Sequence, residues 1–138
     1  MIRILVEKGR EQALILGTGT DIVEVGRIRK ALANSRFIER VYTEAERNYC
    51  DGRGSQRAES YAARFSGKEA ILKAFGTGLR GGSLLELEIL PDELGCPQVR
   101  LSGYFAGLAA EHKVTKVWLS LSHTREYATA QCVMEGKE

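Results

Sequence analysis

The chain has 138 residues, of which 43% are hydrophobic and 28% are charged, with 15 glycines and only 2 prolines. A chain of this length buries about two-thirds of its unfolded surface and is too short for two ordinary domains, so we expect one globular domain over residues 1–138. The 20 basic and 18 acidic residues give a net charge of +2, which does not favour nucleic acid as a partner.

The N-terminal segment, residues 1–12, has no targeting signature. Charged residues interrupt its apolar ones: Glu7, Lys8, Arg10 and Glu11. This composition excludes a signal sequence, and the apolar runs are far shorter than the ~20 residues that span a bilayer, so we expect no membrane association. The segment is an N-terminal extension of unknown role, either an added strand or a disordered tail.

The first predicted elements are a strand and a helix around Asp21. The apolar run at 13–18, followed by Gly19, predicts a buried strand that ends in a turn, with Asp21 just beyond it. Apolar residues then recur at helical spacing: Ile22, Val25, Ile28 and Leu32. This spacing predicts a helix that begins near Asp21 and ends near Asn34 and Ser35.

A basic cluster spans residues 21–40. It has five basic residues against three acidic ones, the basic residues being Arg27, Arg29, Lys30, Arg36 and Arg40. Such a cluster is either a solvated helix face or a docking surface for an acidic protein.

Two further helices follow. Thr43 and Glu46 have the spacing of a capping box, which predicts a short helix after Thr43. Residues 59–75 form the longest predicted helix, and Gly76 ends it. Its charged residues are paired at four-residue spacing, Arg64 with Lys68 and Glu69 with Lys73, which predicts two adjoining rows of charge on the helix surface.

The remainder of the chain has the patterns of strands. Leu85, Leu87 and Ile89 alternate with polar residues, and a second strand is predicted at 98–102, before a helix at 105–112. Residues 116–122 and 127–134 then predict a hairpin. One strand, several helices and a largely antiparallel sheet indicate the α+β class.

The cysteines favour a reducing compartment. Cys50, Cys96 and Cys132 are odd in number, far apart and without CxxC spacing. These features argue against a zinc site and against a disulfide framework. We therefore expect the protein to be cytoplasmic.

Asp21, Glu69 and Lys73 are the candidate chemical site. Two carboxylates suffice for Mg²⁺, which completes its shell with water and phosphate oxygens, and a nearby lysine stabilises phosphoryl transfer. Each residue also has a structural explanation: Asp21 as a helix N-cap, and Glu69 with Lys73 as a helical ion pair of about 0.2–0.5 kcal/mol. His123, in the predicted turn, is a solvent-exposed residue, a phosphate contact or a general base. The common P-loop, GxGxxG and HExxH motifs are absent from the sequence.

Five segments match one known family in order: GTDIVE at 19–24, RFSGKEA at 64–70, KAFGTG at 73–78, GCP at 95–97 and LSLSH at 119–123. Together they resemble holo-acyl-carrier-protein synthase, the short trimeric type of the 4′-phosphopantetheinyl transferase superfamily. The resemblance covers residues 17–133 and implies that family's α+β fold.

The resemblance implies a Mg²⁺-dependent enzyme that transfers 4′-phosphopantetheine from coenzyme A to a serine of apo acyl carrier protein and releases adenosine 3′,5′-bisphosphate. The implied catalytic residues are Asp21 and Glu69, which would hold the metal, and Lys73, which would offset charge at the breaking bond. The proton acceptor is either Glu69 or a metal-bound water that it orients.

The resemblance also implies contacts for both substrates. The implied coenzyme-binding residues are Arg64, Lys73, Gly76, Pro97, His123 and Thr124. Arg64 and His123 would contact the 3′-phosphate, and Gly76 and Pro97 would shape the nucleotide pocket. The acidic carrier protein would dock on the family's first helix, at Arg27, Arg36, Phe37 and Arg40. The implied assembly is a homotrimer, in which the first helix of a neighbour completes each site.

The chain departs from the family pattern at two positions of the longest predicted helix. Family members often have alanines where this chain has Ser66 and Gly67, and glycine within a helix costs about 1 kcal/mol unless close packing compensates.

A non-catalytic module that binds carrier protein or coenzyme A is the alternative function. An RNA-binding protein is disfavoured by the near-neutral charge and by the lack of aromatic residues interleaved along a sheet face.

Overall fold

The structure is a computed structural model that describes residues 13–137, so the N-terminal extension lies outside the described residues. The elements, in chain order, are β1 (Leu14–Glu24), α1 (Val25–Ala31), α2 (Ser35–Val41), α3 (Glu44–Asp51), α4 (Arg57–Phe75), β2 (Leu87–Pro91), β3 (Pro97–Leu101), α5 (Gly103–Glu111), β4 (Val114–His123) and β5 (Tyr127–Gly136). The predicted α+β class is confirmed. Within residues 13–137, no helix is both long enough and apolar enough to cross a bilayer.

The main sheet has three antiparallel strands in the order β1-β5-β4. Strands β4 and β5 form the hairpin predicted from the alternation, and β1 pairs with the other edge of β5. A separate antiparallel pair joins β2 to β3. The turn residues 84–86, predicted as the start of β2, form a 3₁₀ helix instead.

The predicted boundary between the first strand and the first helix is wrong. Strand β1 continues through Asp21 to Glu24, because β5 pairs with it as far as the Glu24–Tyr127 contact and holds the backbone extended. Ile22 therefore points out of the sheet and is 64% exposed, whereas Val25 and Ile28 of α1 are buried. The N-cap of α1 is Glu24, and no side chain caps this helix. Asp21 is consequently not an N-cap.

The basic cluster lies on two helices rather than one. Helix α1 ends at Ala31, and Asn34 caps α2 by accepting a hydrogen bond from the Arg36 amide at 2.9 Å. Arg27 lies on α1, whereas Arg36, Phe37 and Arg40 lie on α2. The expectation of a single basic helix is thus corrected.

Helix α4 is the centre of the molecule, and its two halves pack in two apolar clusters. Its first half, with Tyr61 and Ala62, packs with α1, α2 and α3. Its second half, with Ala70 and Ile71, packs with β2, α5 and β5. The Thr43 capping box at the start of α3 is confirmed.

Glycines allow β1 to cross α4 at the distance of backbone contact. A Cβ at Gly17 would overlap the Ala74 carbonyl oxygen, and one at Gly19 would overlap that of Ala70. Within α4 itself, a Cβ at Gly67 would lie 2.7 Å from Ile89 Cδ1 of β2. Gly67, the helix glycine that departs from the family pattern, is therefore closely packed against its neighbours.

The predicted surface row of Arg64 and Lys68 is wrong. Lys68 is fully buried, and Arg64 is only 6% exposed, because α4 is surrounded by other elements over this stretch. The Lys68 ammonium donates to Glu46 Oε1 at 2.7 Å, to the Val41 carbonyl at 2.6 Å and to the Leu84 carbonyl at 2.8 Å. These three bonds use every donor of the ammonium group.

Candidate active site

Asp21 lies at the crossing of β1 and α4, with a hydrogen bond to each carboxylate oxygen. Lys73 Nζ lies 3.2 Å from Asp21 Oδ1 and also donates to the Thr20 carbonyl at 3.0 Å. Ser66 Oγ donates to Asp21 Oδ2 at 3.0 Å. Lys73 thus forms its ion pair with Asp21, and the helical Glu69–Lys73 pair considered from the sequence is not formed.

Glu69 lies one helical turn before Lys73 and is half-buried. Burial raises the pKa of its carboxyl group, the neighbouring Asp21 charge raises it further, and Lys73 opposes both effects. The two carboxylates therefore share a region of excess negative potential, which attracts a cation. Within residues 13–137 no three His, Cys, Asp or Glu side chains form a metal-binding group, so a metal here would take its remaining ligands from water or substrate.

A groove of about 930 Å³ opens beside Glu69. One wall is α2, with Arg36, Phe37 and Arg40, and another is Phe65 of α4. The structure therefore brings three of the four predicted partner-binding residues to the same groove as Glu69. Arg27 is exposed on α1 and does not line this groove.

A second cavity, of about 370 Å³, lies on the other side of Glu69. It is lined by Glu69, Lys73, Gly76 and two further residues of the helix end. Gly76 ends α4 with a positive φ of 78°, a conformation that glycine adopts without strain. Glu69 is thus shared by both cavities.

His123 and Thr124 lie in a different cavity, of about 660 Å³, with Arg29 and Glu59. The Thr124 hydroxyl accepts hydrogen bonds from the amides of the β4–β5 turn, at 3.2 and 3.1 Å. Arg29, which lies in this cavity and forms an ion pair with Glu59 at 3.3 Å, was noted in the sequence only as part of the basic cluster.

Arg64 and Pro97 lie apart from both cavities that Glu69 lines. The Arg64 guanidinium lies 4.4 Å from the centre of the Tyr49 ring, and its Nε is buried without a hydrogen-bond partner among the described residues. Pro97 begins β3 and faces Pro91 across the two-stranded sheet. The predicted coenzyme-binding residues therefore occupy several separate positions on one chain.

Ser66 is the site residue whose role the sequence did not indicate. It was noted only as a departure from a family pattern, and its bond to Asp21 joins residues 45 positions apart. The sequence around a serine within a helix does not indicate which residue of a distant strand its hydroxyl will contact.

Comparison with known proteins identifies similar chains over nearly the whole length. The family model described as the 4′-phosphopantetheinyl transferase superfamily matches residues 17–132. A holo-[acyl-carrier-protein] synthase of Ruminiclostridium cellulolyticum is 46% identical over 119 residues, which cover 84% of this chain and 89% of the relative.

Solved structures of similar proteins have the same fold. A holo-(acyl-carrier-protein) synthase from Bacillus anthracis in complex with CoA (3′,5′-ADP) is 41% identical, with a TM-score of 0.75, over 89% of this chain and 98% of that chain. An acyl carrier protein synthase of Plasmodium yoelii with ADP bound is 34% identical, with a TM-score of 0.82, over 92% of this chain and 99% of that chain.

Proposed function

The chain belongs to the 4′-phosphopantetheinyl transferase superfamily, and we propose that it transfers 4′-phosphopantetheine from coenzyme A to a serine of apo acyl carrier protein. The serine oxygen forms a bond to the phosphorus that carries pantetheine, and the bond from that phosphorus to the bridging pyrophosphate oxygen breaks. The serine loses its proton, and adenosine 3′,5′-bisphosphate leaves. The products are holo carrier protein and the bisphosphate.

The observation that carries this proposal is the convergence of Asp21, Glu69 and Lys73 at the β1–α4 crossing, in a chain 46% identical to a holo-[acyl-carrier-protein] synthase. The Lys73 side chain is 55% exposed beside Asp21, which supports a role in offsetting the charge that develops on a pyrophosphate oxygen. The raised pKa of Glu69 supports a role for it as the acceptor of the serine proton, either directly or through a metal-bound water that it orients.

The donor set of the site fits Mg²⁺. Asp21 and Glu69 supply oxygen ligands. Burial raises the pKa of Glu69, and the negative charge of the neighbouring Asp21 raises it further, a charge that a cation would offset. When bound, Mg²⁺ would polarise the phosphoryl oxygens of the substrate. This would lower the barrier to breaking the bond between the phosphorus and the bridging oxygen. We propose that these two carboxylates hold the metal.

Coenzyme A is proposed to bind through residues that line different cavities of one chain. The orphaned Arg64 Nε is a buried donor that suits an anionic group such as the 3′-phosphate. His123 and Thr124 line the 660 Å³ cavity, and Lys73 and Gly76 line the cavity next to Glu69. The place of Pro97 in the nucleotide pocket is proposed only from the resemblance of the sequence to the family.

The separation of these cavities favours a site that a second subunit completes. The sheet face opposite α4 also presents large exposed apolar side chains: Ile22, Trp118 and Tyr127. An uncovered apolar face is suited to burial between copies of one chain. We therefore propose a homotrimer with active sites between subunits, and light scattering of the purified protein measures its mass.

The carrier protein is proposed to dock at the groove beside Glu69. Arg36 and Arg40 lie on the exposed side of α2, and Phe37 packs beneath them against Phe65. This arrangement of two cations around an aromatic side chain suits an acidic helix. Arg27 extends the positive surface along α1. A carrier docked there presents its serine to Glu69.

The proposal is tested by incubating the purified chain with coenzyme A, Mg²⁺ and a panel of apo carrier proteins. Intact-mass spectrometry should show the carrier gaining one phosphopantetheine group, with the modified serine identified by fragmentation. The panel includes fatty-acid and polyketide carriers, since either pathway uses such a protein. If every competent carrier stays unmodified, and binding persists in Glu69→Ala, the chain is a binding module and the transferase proposal fails.

A cytoplasmic location is part of the proposal. The thiols of Cys50, Cys96 and Cys132 are unpaired in the structure, and burial raises the pKa of Cys50 and of Cys132 to about 12. Free thiols suit a reducing compartment, and the two buried ones are unreactive. Fractionation of the source cells, followed by immunodetection, checks the location.

A further inference from the structure

Ser66 is a fully buried hydroxyl in the middle of α4, the helix that also carries Glu69 and Lys73. Its Oγ donates to Asp21 Oδ2 at 3.0 Å. The Asp21 side chain is itself only 14% exposed. The bond therefore joins a buried hydroxyl to a largely buried carboxylate across the β1–α4 crossing, and hydrogen bonds are stronger where water has little access.

The backbone geometry of the crossing suits a short donor at this position. Gly17 and Gly19 bring β1 against the carbonyl oxygens of Ala74 and Ala70. At that separation the short side chain of Ser66 reaches Asp21 on the strand. Ser66 thus lies where its hydroxyl reaches a carboxylate on β1.

Each oxygen of the Asp21 carboxylate accepts a hydrogen bond from a different donor. Lys73, on the exposed side, lies 3.2 Å from Oδ1, and Ser66, on the buried side, donates to Oδ2. Lys73 has a long and flexible side chain, so its contact restrains the carboxylate weakly. Ser66 is short and buried, so its bond fixes the plane of the carboxylate in one orientation.

We propose that Ser66 is a positioning residue that orients Asp21 toward the divalent cation shared with Glu69. This inference rests on the proposed function. Hydrogen bonds from neighbouring side chains orient metal-binding carboxylates, and removing such a bond weakens metal affinity by about 10- to 100-fold. In Ser66→Ala the contact between Lys73 and Asp21 Oδ1 remains. We therefore expect the metal affinity to fall by about 10-fold, the lower end of that range.

The test measures Mn²⁺ binding to the full-length protein by electron paramagnetic resonance, with and without coenzyme A. Ser66→Ala is compared with Ser66→Thr, which keeps the hydroxyl, and with Ser60→Ala. Ser60 is a buried serine of the same helix whose hydroxyl makes no side-chain hydrogen bond within residues 13–137. Thermal denaturation of each variant without metal separates loss of stability from loss of affinity.

The positioning role predicts weakened Mn²⁺ binding in Ser66→Ala, recovery in Ser66→Thr and wild-type affinity in Ser60→Ala. Equal affinity in the wild type and Ser66→Ala overturns the role of Ser66 and leaves the proposed transferase intact. Equal weakening in Ser66→Ala and Ser60→Ala also overturns it, since a general packing effect then explains both. A wild-type protein that transfers no phosphopantetheine and binds no Mn²⁺ contradicts the proposed function itself.

Discussion

Replacing Lys68 with methionine is the sharpest test of how the centre of the fold is stabilised. Methionine has a similar length without the ammonium group, so the three hydrogen bonds of Lys68 are lost while its packing volume is largely kept. The lost bonds are those to Glu46, to the Val41 carbonyl and to the Leu84 carbonyl. Glu46 remains as a fully buried carboxylate.

The expected loss follows from what surrounds Glu46 after the substitution. Its carboxylate still accepts bonds from the Thr43 and Ile89 amides, both at 2.9 Å, but its cationic partner is gone. Leaving one charge of a buried ion pair uncompensated costs about 3–5 kcal/mol, a large part of the 5–15 kcal/mol that stabilises an ordinary domain. With a urea m-value of about 2 kcal/mol/M, the midpoint should fall by about 2 M.

Urea denaturation followed by far-ultraviolet circular dichroism measures this loss at one fixed protein concentration, because assembly also affects stability. Lys30→Met is the matched control, since Lys30 is exposed on α1, and it should stay within about 0.5 kcal/mol of the wild type. Adding Glu46→Gln to Lys68→Met removes the uncompensated charge and should restore about 1 kcal/mol or more. A double variant less stable than Lys68→Met refutes the reasoning, as does a single variant with an unchanged midpoint.

Four other variants test the crossing, the proposed metal ligands and the proposed docking surface. Gly19→Ala should lower the free energy of unfolding by about 1–3 kcal/mol in urea denaturation, because its Cβ overlaps the Ala70 carbonyl. Asp21→Ala and Glu69→Ala should each abolish transfer in the mass assay and abolish the rise in melting temperature that Mg²⁺ produces. Arg40→Glu should raise the KM for carrier protein roughly tenfold, or about 1.4 kcal/mol, and leave coenzyme A binding unchanged in calorimetry.

Each of these variants has a matched control on the same chain. Gly26→Ala should not destabilise, since a Cβ there meets nothing within 4 Å, and a loss equal to that of Gly19→Ala contradicts the backbone-contact explanation. Glu44→Ala, exposed on α3, should keep full transfer. Arg100→Glu, exposed on β3, should keep the KM, and a shared rise with Arg40→Glu means that net charge matters rather than position.

The elements that the sequence predicted correctly depend on neighbouring residues. The capping box needs only Thr43 and Glu46, and the end of α4 needs only the glycine that adopts a positive φ after it. The β4–β5 hairpin is similarly local, since its strands are joined by a short turn. For such elements, spacing and turn chemistry determine the structure almost alone.

The features that the sequence did not predict depend on distant partners. The end of β1 was misplaced because β5, more than a hundred residues later, extends it through Asp21. Lys68 was assigned to the surface because helical spacing cannot show that other elements surround α4. The candidate site was found because Asp21, Glu69 and Lys73 belong to motifs, whereas Ser66 gave no such signal.

The pairing of β1 with β5 also determines when the site can form during synthesis. The Thr20 hydroxyl donates to the Ala130 carbonyl across 110 positions of the chain. Within residues 13–137, β5 is the strand that pairs with β1, so this pairing waits until β5 has been made. At about 5–20 residues per second, a ribosome needs about 6 to 20 s to make the intervening chain. Helix α4 is complete well before then, with Glu69 and Lys73 in place. We therefore expect the carboxylate of Asp21 to be the last part of the candidate site to be positioned, and a nascent chain without Tyr127–Gly136 to lack the proposed transfer activity.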